Sequence, residues 1–272
     1  MQKKIAIIND ISGFGRCSVT VALPILSAMG ISCGVVPTAI LSNHTEYPDY
    51  SMLDFTPYME DYISKWKQLE LQFDAIYTGF LGSAKQIAII KQMLSDFHFP
   101  HVIVDPVMGD HGIIYDSYTK EMCAQMKELV RHATIITPNV TELCVLTDHT
   151  YCDNLTDIQI QNMCTQIAKT GPKQIVVTGI ETEDKIGNAI YDDGDFEIQY
   201  TKKILPLRPG TGDVFASMIA GYSLHNTNLS QATKKASRFI ATCLETSKEF
   251  NIPINDGVCF EEHLSLLFQK NK

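Results

Sequence analysis

The sequence predicts an α/β fold: a mainly parallel central sheet with helices on both faces and an antiparallel hairpin at one edge. Three observations carry this. Short apolar runs rich in β-branched residues alternate with longer stretches of helical period, the pattern of strands crossed by helices. Each run is nearly all apolar, as strands covered on both faces must be. Two polar-alternating segments late in the chain surround a tight turn, which is the signature of a hairpin.

Taken in order, strands are expected at Lys4 to Asn9, Ile31 to Thr38, Phe73 to Thr78, His101 to Asp105, Ala133 to Thr137 and Gln174 to Thr178. Helices are expected at Ser83 to Phe97, Tyr118 to His132 and Asp157 to Thr170, the last stopped by Gly171-Pro172. Lys185 to Lys203 reads as the hairpin, turning at Asp192-Asp193-Gly194, and two further helices follow Gly212. Phe260 to Phe268 reads as an amphipathic closing helix whose Glu-Glu-His forms a solvated face. No repeat, low-complexity tract or linker divides the chain, so a single domain over 1–272 is expected.

Composition narrows the function. The 272 residues are 45% hydrophobic and 19% charged, which suits one domain with a continuous core. A formal net charge of -9 and a pI near 5.3 argue against nucleic acid, whose phosphates need clustered Lys and Arg. Only Ile5 to Ile8 are consecutively apolar before Asn9, too few for a leader or a membrane span. A cytoplasmic protein is the expectation. The eight cysteines never form CxxC, and several sit among apolar neighbours, so neither a zinc site nor a disulfide scaffold is indicated. His98 and His101 have metal-like spacing, but Pro100 breaks the helix that would align them.

Polar clusters follow the strands at Asp10 to Arg16, Ser42 to Tyr50, Gly79 to Ser83, Asp105 to Gly112, Thr137 to Glu142 and Thr178 to Glu181. Ligands of open α/β sheets bind beyond the carboxyl ends of the strands, so these loops should line one cleft. The strongest local signal is Arg208-Pro209-Gly210-Thr211-Gly212-Asp213 ahead of an apolar helix. Bare N–H groups at a helix N-terminus attract phosphate oxygens. Asp213 would repel that anion unless it had a task of its own, such as taking the proton of an attacking hydroxyl. The plainer alternative is a Gly-rich turn with an Asp cap.

Thr137-Pro138-Asn139-Val140-Thr141-Glu142 places Asn139 and Glu142 on one side of a first helical turn, with oxygens suited to Mg²⁺ or a simple capping box on Asn139 or Thr141. Asp105-Pro106-Val107-Met108-Gly109-Asp110 puts another carboxylate at a strand end.

Taken together and in their order along the chain, the Asp-Pro-Val-Met-Gly loop, the Asn-x-x-Glu turn and the Gly-Thr-Gly-Asp turn resemble the ribokinase superfamily. Ser42-Asn43-His44-Thr45-Glu46-Tyr47 and Thr78-Gly79-Phe80-Leu81-Gly82-Ser83 are similar to segments of the vitamin B6 kinases. The resemblance spans roughly residues 4 to 245 and implies a ribokinase-like three-layer α/β/α sandwich. It implies MgATP as co-substrate and a B6 vitamer (pyridoxal, pyridoxamine or pyridoxine) as acceptor. Asp213 would be the catalytic base, with the amides of Gly210, Thr211 and Gly212 as anion hole. Asp105, Asn139, Glu142 and Thr178 would serve ATP, and Glu142 and Asp105 the metal. Asp10, Ser12, His44, Thr45 and Phe80 would hold the ring, with His44 and Thr45 reading its phenolic oxygen.

Two departures matter. Asn9-Asp10-Ile11-Ser12-Gly13-Phe14-Gly15-Arg16 stands where many B6 kinases have Gln-Ser-His and is closer to the corresponding loop of hydroxymethylpyrimidine kinases. Thr178 stands where some members carry lysine. Hydroxymethylpyrimidine is therefore the rival substrate, and a non-catalytic vitamer- or nucleotide-binding protein the rival of another class. A sugar is disfavoured by the aromatic and aliphatic groups near His44 and Phe80. Tyr47 and Tyr50 are expected to pack against the body. The resemblance allows a homodimer, although no stretch of the sequence identifies an interface.

Overall fold

The computed structural model describes residues 2–268. Nine strands form one sheet in the order β11-β10-β9-β8-β5-β4-β1-β2-β3. Its parallel body comprises β1 (Lys4–Ser12), β2 (Ser32–Leu41), β4 (Ala75–Thr78), β5 (His101–Val104), β8 (Ile135–Ile136) and β9 (Gln174–Glu181). Antiparallel strands close both edges: β3 (Met52–Asp54) beside β2, and the hairpin β10 (Lys185–Asp192) and β11 (Asp195–Lys202) beside β9. A separate two-stranded ribbon, β6 (Gly109–Asp110) and β7 (Ile113–Ile114), rises from the loop after β5.

Because successive side chains on a strand point to opposite faces, each apolar run feeds two cores. Ile5 and Ile7 pack with α1 (Val19–Ala28), α7 (Thr211–Leu224) and α8 (Leu229–Glu249). Ala6 and Ile8 face α2 (Thr56–Gln68), α3 (Ala84–Asp96), α4 (Lys120–Val130), α5 (Val140–Thr147) and α6 (Asp157–Ala168). The same alternation recurs at Tyr77 against Ile76 and at Ile103 against Val102 and Val104. This is the three-layer sandwich. Truncating a fully buried residue such as Ile8 would cost about 2–5 kcal/mol.

Local chemistry sets the helix starts. Ser83 accepts from the Gln86 N–H, Thr119 from Met122, and Thr156 forms a reciprocal capping box with Gln159. The first strand runs to Ser12 rather than stopping at Asn9, because β2 continues to Leu41 and resumes pairing beyond a register shift between Asn9 and Ile11. Asp10 and Ser12 therefore sit on a strand end, which holds them more rigidly than a loop.

The expected closing helix is a 3₁₀ helix at Glu261–Leu267, and its polar residues are not idle. Arg16 Nε donates to both Glu261 oxygens at 2.7 and 2.9 Å, and His263 Nε2 lies 2.7 Å from Thr246 Oγ1.

Candidate active site

A cleft of about 1190 Å³ opens at the carboxyl ends of the parallel strands. Every residue expected to serve catalysis, ATP, the metal or the ring lines it: Asp10, Ser12, His44, Thr45, Phe80, Asp105, Asn139, Glu142, Thr178, Gly210, Thr211, Gly212 and Asp213. Strand ends β1, β4, β5, β8 and β9 bring these distant segments together.

At the centre lies the turn that starts α7. Gly210 caps the helix at φ 80°, and a side chain there would strike the Arg16 carbonyl oxygen, so only glycine fits. The first helical bond is from the Val214 N–H to the Gly210 carbonyl at 3.0 Å. The N–H groups of Thr211, Gly212 and Asp213 precede it and lack helical partners, while Gly212 has open space where a Cβ would be. This is a bare cradle of donors at the positive end of a helix.

Asp213 follows directly. Burial raises its carboxyl to about 6, assisted by the Asp10 charge and opposed by the Ser18 N–H and the Asn9 amide. A base with this affinity is ionised at neutral pH yet still able to take a proton. Asn9 Nδ2 lies 3.4 Å from Asp213 Oδ1, and its Oδ1 accepts from the N–H groups of Phe80 at 2.8 Å and Asp10 at 3.0 Å. Sequence reasoning missed Asn9. The available signal was a buried amide closing an otherwise apolar strand, opposite Gly79, where a side chain would collide with it.

On one side of Asp213 lies the candidate ring pocket. Ser12 Oγ donates to Asp10 Oδ2 at 3.0 Å, while burial raises the Asp10 carboxyl. Phe80 is half-buried, and Thr45 is exposed on the cleft. His44 departs from expectation. Its Nδ1 accepts from the Glu46 N–H at 3.3 Å, which leaves the protonated Nε2 to donate to the Asn255 carbonyl at 2.6 Å. With both nitrogens committed to backbone, His44 offers its ring face rather than a hydrogen bond, and Thr45 remains as the free polar group.

On the other side stand Asp105, Asn139, Glu142 and Thr178. The Asn139–Glu142 turn is a full capping box: Glu142 N–H donates to Asn139 Oδ1 at 2.9 Å, and Asn139 N–H to Glu142 Oε2 at 2.8 Å. Glu142 Oε1 also accepts from the Met108 N–H at 3.1 Å, and Asn139 Nδ2 donates to the Gly109 carbonyl at 2.8 Å. Asn139 is thus spent on the scaffold, tying α5 to the 105–112 loop. Asp105 differs, since among the described residues its carboxylate accepts only from Thr137 Oγ1, at 3.1 Å. Burial raises both Asp105 and Glu142, and neighbouring carboxylates add to it, Asp213 for Asp105 and Asp105 for Glu142.

Such mutually repelling carboxylates suit a cation. Among the described residues no three His, Cys, Asp or Glu side chains form a metal cage of their own. The donor set fits Mg²⁺, which is held by one or two carboxylates and completed by phosphate oxygens and water. Beyond this end, Ile204, Leu207, Ile240, Ala241 and Leu244 form an apolar wall. The α8 members of that wall were invisible in the sequence, because their spacing is that of any core-facing helix.

The family profile described as Phosphomethylpyrimidine kinase matches residues 25–257. The chain belongs to that family. A Bacteroides thetaiotaomicron protein provisionally named for the same activity, and solved with pyridoxal, is 37% identical over 100% of this chain and 98% of its own, with a TM-score of 0.93. Pyridoxal kinase from Lactobacillus plantarum is 27% identical, with a TM-score of 0.93 over 98% of this chain and 97% of its own. The pyridoxine/pyridoxal/pyridoxamine kinase of Bordetella avium is 29% identical over 265 residues, 89% of this chain and 86% of that protein. The chain is therefore a kinase of the ribokinase-like fold.

Proposed function

We propose that the chain transfers the γ-phosphoryl group of MgATP to the 5'-hydroxymethyl oxygen of pyridoxal, pyridoxamine or pyridoxine. The observation that carries this is Asp213, a base raised to about 6, beside the open donor cradle of the turn that begins at Gly210, in a cleft that also holds Thr45 and Phe80. Similarity to a homologue solved with pyridoxal and to two B6 kinases supports the choice of ring. A single kinase domain over 1–272, acting in the cytoplasm, belongs to the same reading.

Phosphoryl transfer needs positioning and charge stabilisation more than covalent chemistry. Asp213 accepts the hydroxymethyl proton and aims the oxygen at the γ-phosphorus. The cradle N–H groups stabilise charge on the transferring group, an effect worth about 3–4 kcal/mol per donor in comparable sites. Asp105 would hold Mg²⁺, with Glu142 behind it, and Thr178 would contact the triphosphate. Bound there, the metal neutralises charge on the phosphates. The wall of Ile204, Leu207, Ile240 and Leu244 suits a flat purine.

Hydroxymethylpyrimidine is the second reading, favoured by the family profile and by the Asp10 to Gly15 loop. The two rings differ at one edge: a phenolate accepts hydrogen bonds where the pyrimidine amino group donates them. Thr45 is the group assigned to discriminate: its hydroxyl donates to the phenolate, and selectivity against the amino group, from which the same hydroxyl could accept, comes from a fixed orientation of that donor. Thr45→Val is expected to lower kcat/KM for the B6 vitamer selectively. Equal loss for both alcohols, or a wild type that prefers hydroxymethylpyrimidine, would overturn the B6 assignment.

A further inference from the structure

The segment Ile252–Gly257 lies outside every motif above, yet three walls of the cleft converge on it. Arg208, buried directly before the phosphate-binding turn, donates Nη1 to the Pro253 carbonyl at 2.8 Å and the Gly257 carbonyl at 3.3 Å, and Nη2 to the Ile252 carbonyl at 2.7 Å. Among the described residues it makes no ion pair with a carboxylate. Arg16, whose carbonyl abuts Gly210, donates Nη1 to the Asp256 carbonyl at 3.1 Å. On the other flank, His44 donates to the Asn255 carbonyl at 2.6 Å, and the Tyr47 hydroxyl donates to Asp256 Oδ1 at 2.8 Å. The segment is held down from behind by Val258 and Phe260, both in the α1/α7/α8 core.

Asp256 thus joins the two flanks. Its carbonyl accepts from Arg16, whose own carbonyl abuts Gly210, while its side chain accepts from Tyr47 of the 42–50 loop. Two glycines allow the tight approach: Gly257, at φ 82°, and Gly15, packed under the His44 ring. A buried guanidinium spent on three carbonyls costs desolvation, offset only in part by the nearby Asp256 charge. Its effect is positional, because the fork fixes where the strap and the turn meet.

We propose that Ile252–Gly257 is a strap that couples seating of the 42–50 loop on the ring to alignment of the donor cradle, with Arg208 and the Tyr47–Asp256 bond as its two positioning contacts. This rests on the kinase reading of the cleft. Neither contact touches the reacting atoms. Arg208 acts through the bare amides of the turn that begins at Gly210, and Tyr47 acts through His44 and Thr45.

The test is a double-mutant cycle of Arg208→Lys and Tyr47→Phe in the full-length protein, using the alcohol that the wild type phosphorylates best. Which alcohol that is tests the substrate reading separately. Tyr47→Phe should raise KM for the alcohol about tenfold, lower kcat about threefold and leave KM for MgATP unchanged. Arg208→Lys should lower kcat about tenfold, because small misplacement of positioned donors is expensive. The double variant should lose less kcat than the product of the two single losses, since both cut the same strap. Asp256→Ala, which removes the acceptor of the Tyr47 hydroxyl and whose side chain touches no cradle residue, is the independent arm and should reproduce Tyr47→Phe, including its kcat loss. Multiplicative kcat losses would overturn the proposal. So would kcat unchanged in both Tyr47→Phe and Asp256→Ala, which would make the contact a local clasp on the ring pocket.

Discussion

Replacing Asp213 by Asn should make the protein more stable while removing its activity. Folding places this carboxyl where burial and the Asp10 charge raise it from the usual 3.8 to about 6. At neutral pH the native state therefore carries an ionised group that would rather be neutral. Each pKa unit is about 1.4 kcal/mol, so the cost of keeping Asp213 charged is at most about 3 kcal/mol. Solvent in the cleft reduces it, and about 1–3 kcal/mol is expected. The sign follows from proton counting. Between the unfolded value near 4 and the folded value near 6, the native state holds more protons, so Asp213 lowers stability as pH rises through that window. Asn has the same shape, still accepts from Asn9, and carries no such penalty. Thermal melts at pH 7.5 should place Asp213→Asn about 2–6 °C above wild type, with the gap closing toward pH 4. Turnover should fall by orders of magnitude with MgATP affinity retained, because the proton acceptor is gone. A variant no more stable at pH 7.5, or a gap independent of pH, would refute the electrostatic reasoning. Activity within about tenfold of wild type would show that another group is the base.

Wild-type kcat/KM should rise with pH through about 6, as Asp213 ionises, and then level off; a profile flat from pH 5 to 8 would contradict this. Glu142→Gln should raise the magnesium requirement about tenfold or more, since on the proposed reading the carboxylate lies behind Asp105 as support for the metal. An unchanged magnesium titration would leave Glu142 as a helix cap only. Gly210→Ala should lower kcat about 100-fold, because φ 80° and the Arg16 carbonyl leave no room for a methyl group. Wild-type turnover with wild-type melting would show that the cradle is not needed.

The parallel body was legible because each strand is buried on both faces and shows as an unbroken apolar run, and the cleft followed from the polar residues at the strand ends. What stayed hidden has specific causes. The extension of β1 through Ser12 depends on β2 resuming register after Asn9, a long-range pairing that no local window contains. The fate of Glu261 was set by Arg16, and that of His44 by Asn255, partners more than two hundred residues away in sequence. A polar side chain on a surface helix reads as solvated until its partner is known. Asn139 illustrates the opposite case: capping and ligand binding use the same residues at the same spacing, and the hydrogen bonds to Glu142 and Gly109 assign its side chain to the scaffold.

The central claim is that this cleft phosphorylates a B6 ring alcohol. It is tested most directly by incubating the purified protein with MgATP and, separately, pyridoxal, pyridoxamine, pyridoxine and hydroxymethylpyrimidine, and measuring kcat/KM for each phosphate ester formed. The account predicts that at least one B6 vitamer gives the highest value, with the phosphate on the 5'-oxygen, and that Asp213→Asn forms almost none. A higher kcat/KM for hydroxymethylpyrimidine would contradict the substrate, and no ester from any of the four would contradict the account as a whole.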